Sequence, residues 1–339
     1  MTATKIVRSL CIFTREPTEV IARRLGERAR RLTESGFVVQ TKRLCAAEKN
    51  MQVVEKTVGA ITDYQSVGSL TLNQLQEQLP CFLATKNVAC NIDLTTESLA
   101  LEHVHPLFEI IRKNPAKTFN FTYVFHNAVS SPYFPSATYE RDGFAVGLQP
   151  TDLSEGCTTL QEWCERMRRV WAEIIELFKN EPDFLGIDSS IAPLFAGQSS
   201  LINLMKRLGH TFPRSTTTDL YLRLSRFIKE ENPKPVGLCG LMFPCLEDFE
   251  LANEYECGEF SIERNVYLSL HSGLGIDTYP IGLDEDPERV REILKLLQGL
   301  AEKHRKPLSA RFVSDGRAHI GQRTNFGNQY LKDATVRKL

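Results

Sequence analysis

Short apolar runs and longer amphipathic runs take turns along this chain, and their periods differ. "KIVRSLCIF" (5–13) has the apolar and β-branched content of a strand. Pro17 suits the first turn of the arginine-rich helix that follows, which is predicted to run up to Ser35-Gly36. "GFVVQTKRLC" (36–45) reads as the next strand. "TFNFTYVFHN" (118–127) alternates aromatic and polar residues with period two, the pattern of a half-buried strand. "FAVGLQP" (144–150) is expected to pair with it in antiparallel fashion across the loop "SSPYFPSATYERDG".

The clearest helix is "TTLQEWCERMRRVWAEIIELFK" (158–179), where Trp163, Met167, Val170, Trp171 and Ile174 recur at three- and four-residue steps. Thr159 and Glu162 form a capping-box pair, and Glu162/Arg166 and Glu165/Arg169 are spaced for i,i+4 ion pairs. Asp286-Pro287 opens a second helix as cap and first helical residue. Four apolar strands are then predicted at 183–187, 235–243, 276–283 and 307–313, most of them separated by helical patterns. Such alternation points to an α/β sheet or barrel with helices outside. No low-complexity linker or fixed-period repeat divides the chain, so 1–339 is read as a single domain. The helix signal is weakest over 48–80.

Composition narrows the functional classes. With 41 Lys+Arg against 42 Asp+Glu, the net charge of −1 gives no overall field toward nucleic acid or an anionic membrane. "HRKP" (304–307) is a local basic patch, read as a solvated helix end. Nine cysteines lie scattered, with no C-x-x-C pair, which argues against a zinc ribbon or a thioredoxin-type motif and for reduced thiols in the cytoplasm. The N-terminal "MTATKIVRSLCIFTREP" has no signal-peptide core, Arg8 interrupting it, and no segment has the apolar length of a membrane span.

In α/β folds, ligands gather beyond the carboxyl ends of the strands. There the predicted strands deliver Asp188, Ser189 and Ser190; Cys245, Glu247 and Asp248; Asp277, Thr278 and Asp284; and Arg311. Each acid alone is more often a helix cap or a solvated turn, so the argument is their joint placement. Asp188, Glu247, Asp277 and Asp284 are oxygen donors that suit Mg²⁺ or Ca²⁺, although their spacing fits no dedicated loop. His103 and His105 would align for zinc only on a strand, and their surroundings read as helix.

Gly273-x-Gly275 lacks the third glycine of a dinucleotide fingerprint and precedes a strand, so it reads as a turn out of the helix "SIERNVYLSLHS". No P-loop, G-x-S-x-G, S-x-x-K or H-E-x-x-H string occurs. Cys239 lies in an apolar strand, where a thiol is ordinarily inert. Only Arg311 or His271 nearby in a barrel interior would make it a nucleophile.

"GIDSSIAP" (186–193), "GLCGLMFPCLED" (237–248), "SGLGIDTYPI" (272–281), "KPLSARFVSDGRAHIGQRTNF" (306–326) and "SSPYFPSATY" (130–139) together resemble the uncharacterised family called domain of unknown function 711. The resemblance covers most of the chain, most strongly from about 118 onward. It implies a closed or nearly closed α/β barrel of the glycyl-radical-enzyme type, similar to pyruvate formate-lyase but shorter. It does not carry over the reaction, because the tail lacks an Arg-Val-x-Gly-aromatic motif and no two cysteines adjoin. Without that glycine, Cys239 and Cys245 have no thiyl-radical role.

The reading that remains is an intracellular, non-radical enzyme acting on a small anionic metabolite such as an amino acid or carboxylic acid. Arg311 would clamp a carboxylate and Asp277 or Asp188 would move protons, with Cys239 a further catalytic candidate. Backbone N–H groups near Gly240 and Gly273 would stabilise negative charge, and Glu247, Ser189, Thr278 and His271 would complete the substrate contacts. The alternative is a non-catalytic sensor that reports the metabolite through contacts in a homo-oligomer, and a structural subunit with a filled barrel is a third. Acids all paired to backbone or arginine would favour the sensor over the enzyme.

Overall fold

The computed structural model describes residues 3–339, so Met1 and Thr2 of the N-terminal stretch lie outside the described residues. Ten strands form one sheet: β1 (Lys5–Thr14), β2 (Phe37–Val39), β3 (Lys42–Ala46), β4 (Tyr64–Leu70), β5 (Val88–Asp93), β6 (Phe121–Phe125), β7 (Gly143–Leu148), β8 (Phe184–Asp188), β9 (Gly275–Pro280) and β10 (Leu308–Val313). Their order is β8-β7-β1-β3-β4-β5-β6-β10-β9, with β2 pairing β1 off that path. The sheet is mixed. β1 runs parallel to β3 and antiparallel to β7, and β10 runs antiparallel to β6 and parallel to β9.

Two faces follow from the period-two alternation of the strands. Leu10 and Ile12 of β1, Leu44 of β3, Ile92 of β5 and Phe121 of β6 join the large core, together with helix residues such as Leu25, Trp163 and Leu294. The opposite face carries Cys11, Phe13 and Cys45, which pack with Ala137, Ala145 and Leu185 in a small separate cluster. That face is strongly concave. Arg8 of β1 and Arg311 of β10 both reach the Glu247 carboxylate. Five strand spacings separate β1 from β10, about 24 Å in a flat sheet, so only a curled sheet brings them together.

Continuous strand pairing does not close the curl. Between the edge strands β8 and β9 runs the irregular segment 234–245, which makes isolated bridges such as Ile191 to Leu241 and Pro244 to Asp277. The predicted strand 235–243 is therefore not a regular strand. Gly237 at φ 71° and Cys239 at φ 40° bend the chain. The N–H groups of Leu238 and Cys239 turn to the Asp188 carboxylate at 2.9 and 3.1 Å instead of to a neighbouring strand.

Other expectations shift for physical reasons as well. "TFNFTYVFHN" begins as a 3₁₀ turn at Pro115–Asn120 before β6, and all five residues of β6 are buried because both of its faces are covered. β7 does not pair with β6 but lies between β1 and β8. The intervening loop enters the concavity rather than making a hairpin. Ser9 Oγ donates to Pro132 O at 2.7 Å, and Asn91 Nδ2 donates to Pro135 O at 2.9 Å and Ala137 O at 3.1 Å. The stretch 36–45 breaks at Gln40-Thr41 into β2 and β3. Residues 48–80 hold two helices, Met51–Val58 and Leu72–Ala84, flanking β4. Around "HVHP", only His105–Lys113 is α-helical, and His103 sits in a 3₁₀ turn, buried with its ring against Ala100.

The helix Leu160–Phe178 has the predicted Thr159/Glu162 capping box. Its predicted ion pairs give way to backbone contacts: Arg166 donates to Leu153 O at 2.8 Å, and Arg169 to Glu165 O at 3.4 Å. Pro287–His304 is capped by Asp286 as expected. Thr159→Ala should lower stability by about 1 kcal/mol in urea unfolding, the usual loss for a missing N-cap. An unchanged midpoint would show that the cap does not hold this helix.

Candidate functional site

A cavity of about 1000 Å³, including the part open to solvent, occupies the concave face. Its lining comes from both halves of the chain: Arg8, Arg43, Tyr64 and Tyr133 from the first, and Glu247, Asp277, Arg311 and Tyr330 from the second. Arg8 is turned inward by a bulge between Val7 and Ser9, while Val7 and Leu10 stay with the helix-side core. Arg43 and Arg311 need no such device, because their neighbours Leu44 and Ala310 already face the helices.

Arg311 is the hub. Its Nε donates to Asp277 Oδ1 at 2.6 Å, its Nη2 to Glu247 Oε2 at 2.5 Å, and its Nη1 to Phe119 O at 3.3 Å. The planar fork thus joins β10, β9 and the end of the irregular segment. Burial alone would lower its pKa, but Asp277 and Glu247 more than offset that, so the guanidinium stays charged. Burial raises the Glu247 pKa above the ordinary carboxylate range, and Arg311 and then Arg8 only partly counter it.

The other two arginines are held more loosely. Arg8 reaches Gln40 Oε1 only at 3.5 Å and Glu247 Oε1 at 3.7 Å. Arg43 is 8 % exposed, yet only its Nε finds a partner, Thr41 Oγ1 at 2.9 Å. Its guanidinium sits 5.4 Å from the Tyr64 ring and 5.3 Å from the Phe134 ring. Burial, with Arg8 adding repulsion, lowers its pKa to about 10. Among the described residues no acceptor meets its two terminal nitrogens. The cavity therefore presents three guanidinium groups against two carboxylates, and the excess cation is Arg43.

Of the residues singled out in the sequence, Arg311, Glu247 and Asp277 meet at this wall, but the Arg311 fork predicted to clamp a carboxylate ligand is filled by Glu247 and Asp277. Asp188 does not line the cavity. It is fully buried and accepts from Ser131 Oγ at 3.0 Å, Ser190 Oγ at 2.6 Å, and the N–H groups of Ser190, Leu238 and Cys239. Gly237 lets the chain pass so close that a Cβ there would stand 2.3 Å from Asp188 Oδ2. Ser189 accepts from Trp171 Nε1 at 2.8 Å, and Ser190 holds the Gly240 N–H at 3.2 Å. The Gly273 N–H donates to Leu268 O at 2.8 Å, so neither glycine N–H is free for negative charge on a ligand.

Burial, then Asp188, pushes the Cys239 thiol up to about 12, which disfavours the thiolate at neutral pH. Thr278 is buried at φ 41° away from the cavity walls, and His271 ends the helix Ile262–His271 beside Ser272 Oγ at 2.9 Å. Asp284 accepts from the Ile320 N–H at 2.8 Å on an exposed turn, far from a joint cation site with the other acids. Among the described residues no group of three or more His, Cys, Asp or Glu could hold a metal ion, so the four acids do not assemble for Mg²⁺ or Ca²⁺. Nor is any described helix long and apolar enough to cross a membrane.

Arg8, Arg43, Tyr64, Tyr133 and Tyr330 were not among the sequence candidates. The signal for the first two is an arginine set among apolar residues of a strand, in "KIVRSLCIF" and, beside Lys42, in "KRLCA". A charge there is costly unless something meets it.

The family model described as "Uncharacterised ACR (DUF711)" matches residues 32–328. The chain belongs to the DUF711 family. The match takes in Arg43, Glu247, Asp277 and Arg311, whereas β1 with Arg8 precedes it. No curated protein matches the chain.

Arg311→Ala should cost this DUF711 protein about 3–5 kcal/mol, because it strands the buried Glu247 carboxylate and the half-buried Asp277. In that variant the Glu247 pKa rises further, so its folded form holds a proton that the unfolded chain releases. The deficit should therefore be smaller near pH 4–5 than at pH 7, read by urea unfolding at both values. A pH-independent deficit, or none, would contradict the role of Arg311 as the charge partner of Glu247.

Proposed function

We propose that the protein binds a small anionic metabolite in the cavity, with Arg43 as its principal contact and Arg8 beside it. One observation carries this reading: an arginine only 8 % exposed whose two terminal nitrogens open on the cavity and meet no acceptor among the described residues. Leaving such a cation without a counter-charge is destabilising, and a ligand carboxylate would supply two acceptors in the geometry of the guanidinium fork. The acids Asp188, Glu247, Asp277 and Asp284 all have partners in backbone, hydroxyl or arginine groups, which favours a binding or sensing role over proton transfer.

A second reading, a non-radical enzyme, is supported by Glu247. A carboxyl with a raised pKa in a ligand cavity is a candidate proton donor and acceptor. The likeness to a glycyl-radical-enzyme barrel remains part of the proposal, supported by the curled sheet and the loop 130–139 inside it. So does a cytoplasmic setting, on the scattered thiols, and a homo-oligomer through which a sensor would report.

Thermal-shift screening of small carboxylates should find a ligand that stabilises the protein by about 2.7 kcal/mol at a hundred times its Kd. Arg43→Gln should weaken that ligand at least about tenfold while leaving unliganded stability equal or higher, since it removes an unpaired buried cation. The sign with pH is fixed too: an anion needs the charged guanidinium, so affinity should fall as pH rises through about 10. Undiminished binding by Arg43→Gln would refute the assignment. Turnover of the bound ligand, lost in Glu247→Gln, would favour the enzyme.

A further inference from the structure

The carboxylates of the cavity wall have unused capacity as well. Arg311 engages Asp277 through Oδ1 and Glu247 through Oε2. Among the described residues no donor reaches Asp277 Oδ2. Glu247 Oε1 has only the Arg8 guanidinium, at 3.7 Å, beyond hydrogen-bond range. Glu247 is 5 % exposed and Asp277 is half-buried, and both free oxygens open on the cavity, where a ligand can reach them. Unmet acceptors on β9 and the 244–248 turn thus share one cavity with unmet donors on β3. The same cavity is also lined by the apolar side chains of Leu238, Met242 and Leu274.

We infer that the ligand is an α-amino acid with an apolar side chain. Its carboxylate lies on Arg43 and Arg8, its ammonium group donates to Asp277 Oδ2 and Glu247 Oε1, and its side chain packs on Leu238, Met242 and Leu274. This deepens the anion-binding reading and rests on it. A simple carboxylate would satisfy Arg43 but leave the two acceptor oxygens unmet. An amine would satisfy those oxygens and leave Arg43 bare. Only a molecule that carries both groups meets both needs, and three ammonium N–H donors suit two carboxylate acceptors.

The test is calorimetric titration of the full chain with leucine, methionine and phenylalanine, each beside its deaminated carboxylate and its decarboxylated amine. At least one amino acid should bind at least ten times more tightly than its own carboxylate, and the amines should not bind measurably. Asp277→Asn and Glu247→Gln should each shrink that ratio toward one, with carboxylate affinity kept and folding checked by circular dichroism. Should either variant fail to fold, the wild-type comparison decides alone. A carboxylate that binds as tightly as its amino acid overturns the ammonium site and leaves the anion reading standing. Binding by amines alone, or by none of the three classes, overturns both. Tighter binding of glutamate than of all three apolar amino acids overturns the apolar side chain.

Discussion

The contact on which the rest depends is the Arg311 fork between Asp277 and Glu247. Three segments far apart in sequence end at this one guanidinium: β10, β9 and the turn after the irregular segment. It does two things at once. It neutralises the acids that would otherwise be stranded in a poorly solvated wall, and it removes itself from the list of cations a ligand can use. What the cavity then offers is set by subtraction. Arg43 is left with unused donors, and Asp277 and Glu247 each with an unused oxygen.

Inside that frame the concave face is built in two layers. Toward one end, Cys11, Phe13, Cys45 and Ala137 make a small apolar plug. Toward the other lies the arginine-rich cavity. The loop 130–139 serves both, since Ala137 packs in the plug while Phe134 lies against Arg43. Beneath it, Asp188 gathers the N–H groups of the bend at 237–239 and holds its conformation. The same bend keeps Cys239 close to a carboxylate, which is the wrong neighbour for a thiolate.

Local patterns in the chain revealed most strands and the capped helices because each depends on residues a few positions apart. Thr159 with Glu162, and Asp286 with Pro287, are such cases. Partner choice depends on distant chain, and there the reading failed. Nothing between 118 and 150 shows that the loop goes inward and sends β7 to β1. Of the strand-end residues expected to converge, Glu247, Asp277 and Arg311 do so, because polar residues on one face of a curled sheet point into the same hollow. Asp188 looks the same in sequence but is taken up by the bend that Gly237 permits. The site roles of Arg8 and Arg43 were not legible because a charge within a strand reveals its direction only through bulge and register.

The most direct test of this division of labour is side-chain NMR of ¹⁵N-arginine during titration with the ligand that the screen identifies. The account predicts large shifts and slowed hydrogen exchange at the Arg43 guanidinium, smaller changes at Arg8, and an Arg311 signal that is already protected and hardly moves. A response centred on Arg311, with Arg43 unchanged, would contradict it.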